Sequence, residues 1–212
     1  MLHEDESSST DALLQRIRNQ DADALADLFA QYRARLKQMI RLRMDRRLQG
    51  RVDPSDVLQE AWLDVAGRAA DYAARPEMPF FLWVRMITGQ RLLEIHRRHL
   101  QTQMRDAGLE VSLYGGALPQ ANSLSLAAQL LGKLTSASEA AMRSELQIHL
   151  QRVLNAMEPI DREVLALRHF EELNNNEIAT VLGLSKATTS NRYVRALKRL
   201  KDELSRIPGF FD

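Results

Sequence analysis

Apolar residues recur at helical spacing along most of the chain. In the first half they stand three or four positions apart at Leu25, Leu28, Phe29, Tyr32 and Leu36. An α-helix turns once every 3.6 residues, so this spacing places the apolar side chains on one face of a helix. The alternation of apolar and polar residues that marks a half-buried strand is not sustained anywhere. The sequence therefore predicts an all-α fold.

The composition changes in the middle of the chain and suggests two domains. Residues 107–139 are rich in glycine and serine, which is typical of flexible linkers, and only 125–131 within them looks briefly helical. Helical periodicity is strong on both sides of this segment. We therefore predict one helical domain over 1–106, a flexible linker over 107–139 and a second helical domain over 140–212.

Composition and charge exclude several classes of protein. The 212 residues carry a net charge of only +1 and no cysteine, which excludes a disulfide framework and thiolate zinc sites. The N-terminal segment is acidic where a signal peptide would be basic and then apolar, and no stretch approaches the roughly 20 apolar residues of a membrane span. We therefore expect a cytoplasmic protein.

Near the C-terminus the sequence predicts a helix-turn-helix. Gly183 can adopt the positive φ of the tight turn, and Ser185 can cap the helix that follows. Ala179 is small at the point where the two helices would cross. At 100° per residue, polar and cationic side chains share one stripe of the second helix: Thr188, Asn191, Arg192, Arg195 and Arg199. A solvated amphipathic helix would show a similar stripe, but the turn residues in front of it favour DNA binding.

A second pattern begins at residue 53, where Asp53 and Pro54 predict a helix start. Three polar residues then share one edge of that helix: Asp56, Gln59 and Glu60. The helix that follows has aromatic residues near its start and arginines along its length: Phe80, Phe81, Trp83, Arg85, Arg91, Arg97 and Arg98. Aromatic rings interleaved with arginines are typical of surfaces that hold unstacked bases. Burial of Phe80 and Trp83 in the domain core is an equally open interpretation.

These motifs together resemble the sigma factors of bacterial RNA polymerase, and more narrowly the small two-domain extracytoplasmic-function group. The motifs follow in the family's order and spacing: Asp53-x-x-Asp56-Val57-x-Gln59-Glu60-x-Trp62, Phe80-x-x-Trp83, Pro159-x-x-Arg162-Glu163-Val164-Leu165, and Glu177-Ile178-Ala179 through Arg192. The resemblance covers roughly residues 11–100 and 145–204 and leaves the segment between them unmatched.

The resemblance implies a role for each of these surfaces. The polar edge at 56–60 would bind the clamp of the polymerase's largest subunit, and the loop over 67–79 would capture a flipped base of the −10 promoter element. Residues implied in −10 binding are Tyr72, Phe80, Trp83, Arg85, Arg91, Arg97 and Arg98. The helix from Ser185 would enter the major groove at the −35 element. Residues implied there are Lys186, Thr188, Ser190, Asn191, Arg192, Arg195 and Arg199.

Core RNA polymerase and promoter DNA are the partners implied, with an anti-sigma factor as a further candidate. The alternative function is a stand-alone helix-turn-helix activator, which would share the motif at 177–192 but would need a signal-receiving domain in place of residues 53–98. We predict neither an enzyme nor a cofactor or metal site. Only His96 and His99 are spaced to share a helical face, and the two arginines between them would repel a cation.

Overall fold

The computed structural model of the chain describes residues 10, 12–19, 21–100, 119–134 and 140–206. The regular elements within these ranges are helices, which confirms the predicted all-α fold. They are α1 (residues 12–18), α2 (Ala22–Arg43), α3 (Pro54–Ala74), α4 (Phe80–Leu100), α5 (Ser123–Leu134), α6 (Ala140–Asn155), α7 (Pro159–His169), α8 (Asn175–Leu182) and α9 (Lys186–Leu204). Within the described ranges, no helix combines the length and the apolar character that crossing a membrane requires.

The chain divides into two compact units. Unit 1 comprises Met1–Ile40 and Arg46–Gly108, and unit 2 comprises Arg41–Asp45 and Leu109–Asp212. The structure differs from the predicted linker over 107–139, because residues 119–134 are folded and belong to unit 2. The remainder of the predicted linker, 107–118 and 135–139, lies outside the described residues, as do 1–9 and 101–106 of the first predicted domain and 207–212 of the second.

Helix α5 contributes to the core of unit 2. Leu126, Ala127 and Leu131 on one of its faces are buried, and they pack with apolar residues of α6, α7 and α9. Their spacing of one, four and five positions is that of a single helical face. Burial of this face stabilises the segment by more free energy than it loses in conformational entropy. Glycine and serine content predicted a linker here, whereas the apolar periodicity at 125–131 was the better guide.

Helices α2, α3 and α4 supply the core of unit 1. Each buries apolar side chains along one face, among them Leu28, Leu36, Val57, Val65, Val84 and Ile87. Aromatic rings also join the helices: Phe29 meets Trp62 edge to face with centroids 5.0 Å apart, and the Tyr32 ring lies 5.2 Å from that of Phe81. Such ring pairs stabilise the packing by about 0.5–1.5 kcal/mol beyond the area that they bury.

Helix α3 is longer than the sequence predicts. The predicted loop over 67–79 is shorter, since α3 continues to Ala74 and only residues 75–79 connect it to α4. Ala69, Tyr72 and Ala73 bury a face of its last two turns. This packing outweighs the roughly 1 kcal/mol that Gly67 costs inside a helix.

A cluster of charged side chains is buried in unit 2. The fully buried Arg43 forms ion pairs with Glu163 and Glu171. Glu163 also accepts a hydrogen bond from the Ala121 amide at 3.0 Å. Burial alone would lower the pKa of Arg43, but the two carboxylates outweigh it and raise the pKa, so the guanidinium stays charged. The cluster links the segment Arg41–Asp45 to the rest of unit 2.

Candidate nucleic-acid interface

Helix α8 begins with a complete capping box. The Asn174 side chain accepts hydrogen bonds from the amides of Asn176 (2.9 Å) and Glu177 (3.0 Å). Glu177 in return accepts a hydrogen bond from the Asn174 amide at 2.8 Å. These bonds satisfy amides that the first turn of a helix leaves without a partner. The Asn175 side chain also donates to the Lys186 carbonyl at 3.0 Å, which ties the starts of α8 and α9 together.

The turn between α8 and α9 is built from the residues that predicted it. Gly183 ends α8 in the left-handed conformation, with φ of 63°. The Leu184 amide then donates to the Ala179 carbonyl at 2.9 Å. Ser185 caps α9, because its hydroxyl accepts a hydrogen bond from the Thr188 amide at 3.1 Å. The predicted positions of Gly183 and Ser185 in the turn are therefore confirmed.

Helix α9 buries one face and presents the other to solvent. Its buried residues are Thr189, Ala196, Leu200 and Leu204. Of the residues predicted to contact the −35 element, six are exposed: Lys186, Thr188, Ser190, Asn191, Arg195 and Arg199. The seventh, Arg192, is partly buried. Because the first acidic residue of α9 is Asp202, the exposed face offers mainly cations and hydrogen-bond donors.

Two carboxylates at the start of α7 hold arginines of α9. Asp161 is buried and accepts hydrogen bonds from Arg192 Nη1 (2.8 Å) and from Arg195 Nε (3.1 Å) and Nη2 (3.0 Å). The exposed Glu158 accepts a further bond from Arg192 Nη1 at 2.8 Å. The pKa of Arg192 is raised by its hydrogen bonds to Glu158 and then Asp161, and the pKa of Arg195 by its hydrogen bonds to Asp161.

The sequence does not predict this ion cluster. Acidic residues in the first turn of a helix are favoured by the helix dipole wherever a helix begins. Glu158 and Asp161 flank Pro159 at such a start, so their local sequence gives no sign of a more distant partner. Only the fold shows that both carboxylates face the arginines of α9.

The residues of the predicted polar edge, Asp56, Gln59 and Glu60, lie on α3, and the first of them has a structural role. Asp56 completes a capping box, since its carboxylate accepts a hydrogen bond from the Asp53 amide at 3.0 Å. Asp53 in turn accepts one from the Ser55 amide at 2.7 Å. Gln59 is exposed on the same edge. A substitution of Gln59 therefore disturbs the helix less than a substitution of Asp56.

Arg91, predicted to hold DNA, lies in an ion network between α3 and α4. It pairs with Asp64, with Glu94 at 2.7 Å and more loosely with Glu60 at 3.9 Å. The hydrogen bond to Asp64 is the main cause of the raised pKa of Arg91. Glu60 also lies 3.7 Å from Arg98, whose side chain is 58% exposed. The network therefore connects the predicted polymerase edge to two of the arginines predicted to hold DNA.

The aromatic residues predicted at the −10 surface lie in the interior of unit 1. Tyr72, Phe80 and Trp83 are between 3% and 8% exposed, and Arg85 is 4% exposed. The Tyr72 and Trp83 rings stack with centroids 4.3 Å apart and an interplanar angle of 19°. This is the core interpretation that the sequence left open. A ring packed in this way has no free face for a base, so the predicted platform is not present at these residues.

The remaining predicted −10 residues, Arg97 and Arg98, are exposed at the C-terminal end of α4. The histidines around them do not share an accessible face, because His96 is buried and His99 is exposed. Within the described ranges, no three side chains of the types that bind metals are grouped to hold an ion.

The chain matches known proteins in both sequence and structure. Residues 148–200 match the family model described as sigma-70, region 4. Similar curated proteins include the RNA polymerase sigma-E factors of Streptomyces coelicolor, 42% identical over 55 residues, and of Streptomyces avermitilis, 40% identical over 55 residues. Each alignment covers 26% of this chain and 31% of the relative, so the chain matches about a third of the length of these relatives.

Among solved structures, the fold is similar to that of CnrH in complex with the cytosolic domain of CnrY. The TM-score is 0.54 at 19% sequence identity, and the alignment covers 93% of this chain and 98% of that chain. At this level of identity the similarity establishes a shared fold.

Proposed function

We propose that this chain is a bacterial sigma factor that binds core RNA polymerase and directs it to promoters in the manner of the extracytoplasmic-function group. The observation that carries the proposal is the match of residues 148–200 to sigma-70 region 4. That match falls on a folded helix-turn-helix whose second helix exposes cations and hydrogen-bond donors. The curated relatives that match 55 residues of the chain are RNA polymerase sigma-E factors, which favours this function over a stand-alone activator.

In this proposal α9 reads the −35 element from the major groove. Asn191 and Arg195 are exposed in the first half of the helix, where side chains reach base edges. Asparagine can pair with adenine and arginine with guanine, each through two hydrogen bonds. Lys186 and Arg199 lie toward the ends of the exposed face and are suited to phosphate contacts.

Unit 1 holds the −10 element in this proposal, through residues other than the buried rings. The exposed Arg97 and Arg98 are placed to contact phosphates. The connection over 75–79 is the candidate for base capture. The Tyr72 hydroxyl donates to the Met78 carbonyl at 2.7 Å, so the buried stack of Tyr72 and Trp83 acts indirectly, by fixing the position of this connection.

The polymerase-binding surface is proposed on α3, at Asp56, Gln59 and Glu60. All three lie on one edge, and Asp56 and Gln59 are exposed. A chain with this function acts in the cytoplasm, where core polymerase works, and needs no catalytic group of its own. CnrH, which shares the fold, was solved with a protein bound, the cytosolic domain of CnrY. We therefore include a protein of the anti-sigma type among the proposed partners.

Co-elution of the purified chain with core RNA polymerase in size-exclusion chromatography tests the proposal. We expect the wild-type chain to form a complex, and Gln59→Arg to lose it while retaining its helical content. Gln31→Arg is the matched control, because it makes the same exchange at an exposed position of α2 in the same unit. A wild-type chain that elutes apart from core polymerase would contradict the proposal, and equal binding by both variants would move the surface away from Gln59.

A further inference from the structure

The buried carboxylate of Asp161 contacts two arginines of the helix that is proposed to read DNA. We propose that Asp161 is a positioning residue that presents Arg195 to a base pair, and that Arg192 is a clamp between α7 and α9 rather than a reader. The inference rests on the proposed function, since it assumes that α9 faces DNA. Two neighbouring arginines then have different roles beyond that function, because Arg195 contacts a base pair and Arg192 stabilises the packing of α7 on α9.

The hydrogen bonds of Arg195 leave its far end available. A guanidinium carries five N–H donors in a rigid plane. Asp161 accepts one from Nε at 3.1 Å and one from Nη2 at 3.0 Å, along a single edge of that plane. One N–H of Nη1 and the second one of Nη2 remain side by side at the tip of a side chain that is 56% exposed. Two neighbouring donors of this kind match the O6 and N7 acceptors of guanine.

Arg192 is held differently by the same carboxylates. Its Nη1 atom is shared between Asp161 and Glu158, at 2.8 Å from each, and its side chain is only 22% exposed. The guanidinium therefore joins the start of α7 to α9 and has little surface left for DNA. In this arrangement Arg192 contributes to the stability of the helix-turn-helix, whereas Arg195 contributes to base recognition.

The charge of Glu158 affects the overall affinity of the cluster for DNA. The two carboxylates balance the charges of the two arginines, so the cluster adds little net attraction for phosphates. Glu158 is 60% exposed and lies 3.7 Å from Arg195 Nη2, on the solvent side of the cluster. Its charge opposes the approach of DNA without fixing the direction of Arg195. Asp161 and Glu158 therefore have separable effects, one on base preference and the other on overall affinity.

Selection from a duplex library with a randomised segment separates these effects. The full-length chain, alone and bound to core polymerase, is used to select duplexes, and the selected pools are sequenced. We expect Asp161→Asn to reduce the wild-type preference for guanine at one position by roughly tenfold, the worth of one bidentate contact. Glu158→Gln is expected to raise affinity with the preference unchanged. Asp202→Asn is the matched control, since it removes an exposed charge of α9 away from the cluster.

A double variant distinguishes positioning from loss of structure. Arg195→Lys keeps the charge but loses the planar fork, so it should remove the guanine preference by itself. Adding Asp161→Asn to Arg195→Lys should then change the preference no further, although it lowers the melting temperature. A difference in base preference between the double variant and Arg195→Lys, or an unchanged preference in Asp161→Asn alone, would overturn the inference.

The inference and the proposed function can fail separately. Transcription with core polymerase tests the function, whereas the selected sequences test the role of Asp161. A preference that depends on Asp161 in a chain that does not direct transcription would support the inference and contradict the function. Transcription that depends on the chain, with no effect of Asp161→Asn on the selected bases, would support the function and contradict the inference. A wild-type chain that selects no base preference in either form would overturn the inference as well.

Discussion

The two units hold the residues predicted to contact DNA in opposite ways. In unit 2 those residues lie along α9, and all but Arg192 are exposed. In unit 1 the predicted rings and Arg85 are buried, and Arg97 and Arg98 are the predicted residues that remain exposed. The difference shows that a stripe of polar and cationic residues locates the outward face of a helix, whereas aromatic residues at helical spacing fit a core face and a binding face equally well.

The units are alike in one respect, because each neutralises arginines with carboxylates from a neighbouring helix. Asp64 of α3 pairs with Arg91 of α4 in unit 1, and Asp161 of α7 pairs with Arg192 and Arg195 of α9 in unit 2. A count of cations along a helix therefore overstates the charge that it offers to DNA.

The largest expected effect tests whether Trp83 belongs to the core of unit 1. Trp83→Ala should lower the free energy of unfolding by about 3–5 kcal/mol, since it removes a buried ring and its stack on Tyr72. Urea denaturation followed by circular dichroism measures this loss. Met86→Ala, at an exposed position of the same helix, is the control and should change stability by about 0.5 kcal/mol or less. If the free energy of unfolding of Trp83→Ala equalled that of the wild type, Trp83 would not belong to the core and would again be a candidate for DNA binding.

The interior of unit 2 contains an ion cluster beside its apolar core, whereas that of unit 1 contains stacked rings. Arg43→Ala should destabilise unit 2 by about 3 kcal/mol or more, because the buried Glu171 and the partly buried Glu163 would lose the cation that pairs with both. The thermal unfolding midpoint of the full chain reports the loss. Arg41→Ala removes an exposed arginine two positions away and should leave the midpoint nearly unchanged. Equal midpoints for the two variants would show that the cluster does not stabilise the unit.

The polar edge of α3 allows a finer test of surface against structure. Asp56→Ala should cost about 1 kcal/mol of stability through the lost capping box, whereas Gln59→Ala should cost almost nothing. Both substitutions should weaken binding to core polymerase. Chemical denaturation and co-elution, measured on the same two variants, separate the effects. If Gln59→Ala destabilised the chain as much as Asp56→Ala, the assignment of the capping box would be wrong.

The smallest expected effect concerns the exposed cations of α9. Lys198→Ala should weaken binding to all duplexes alike and reduce the slope of log affinity against log salt by about 0.9, the value of one phosphate contact. Titration of the full chain with a labelled duplex at several salt concentrations measures the slope. Lys37→Ala on α2 is the control and should leave it unchanged. A change of base preference in Lys198→Ala would place this residue among the readers.

Local rules explain most of what the sequence predicted. Gly183 acts through its own backbone conformation and Ser185 on a neighbouring amide, so their roles follow from a few adjacent residues. The end of α3 and the helix α5 were harder to predict, because burial by other helices outweighs Gly67 and the glycine and serine content of the middle segment. The ion pairs of Asp161 could not be predicted, since they join residues 31 and 34 positions apart.

Start-site mapping in vitro tests the central proposal most directly. Purified core polymerase transcribes fragments of genomic DNA with and without this chain, and the 5′ ends of the transcripts are sequenced. We predict a set of start sites that appears only with the chain, preceded by a shared pair of sequence elements at −35 and −10. Start sites that are the same in both reactions would contradict the proposal that the chain directs promoter recognition as a sigma factor.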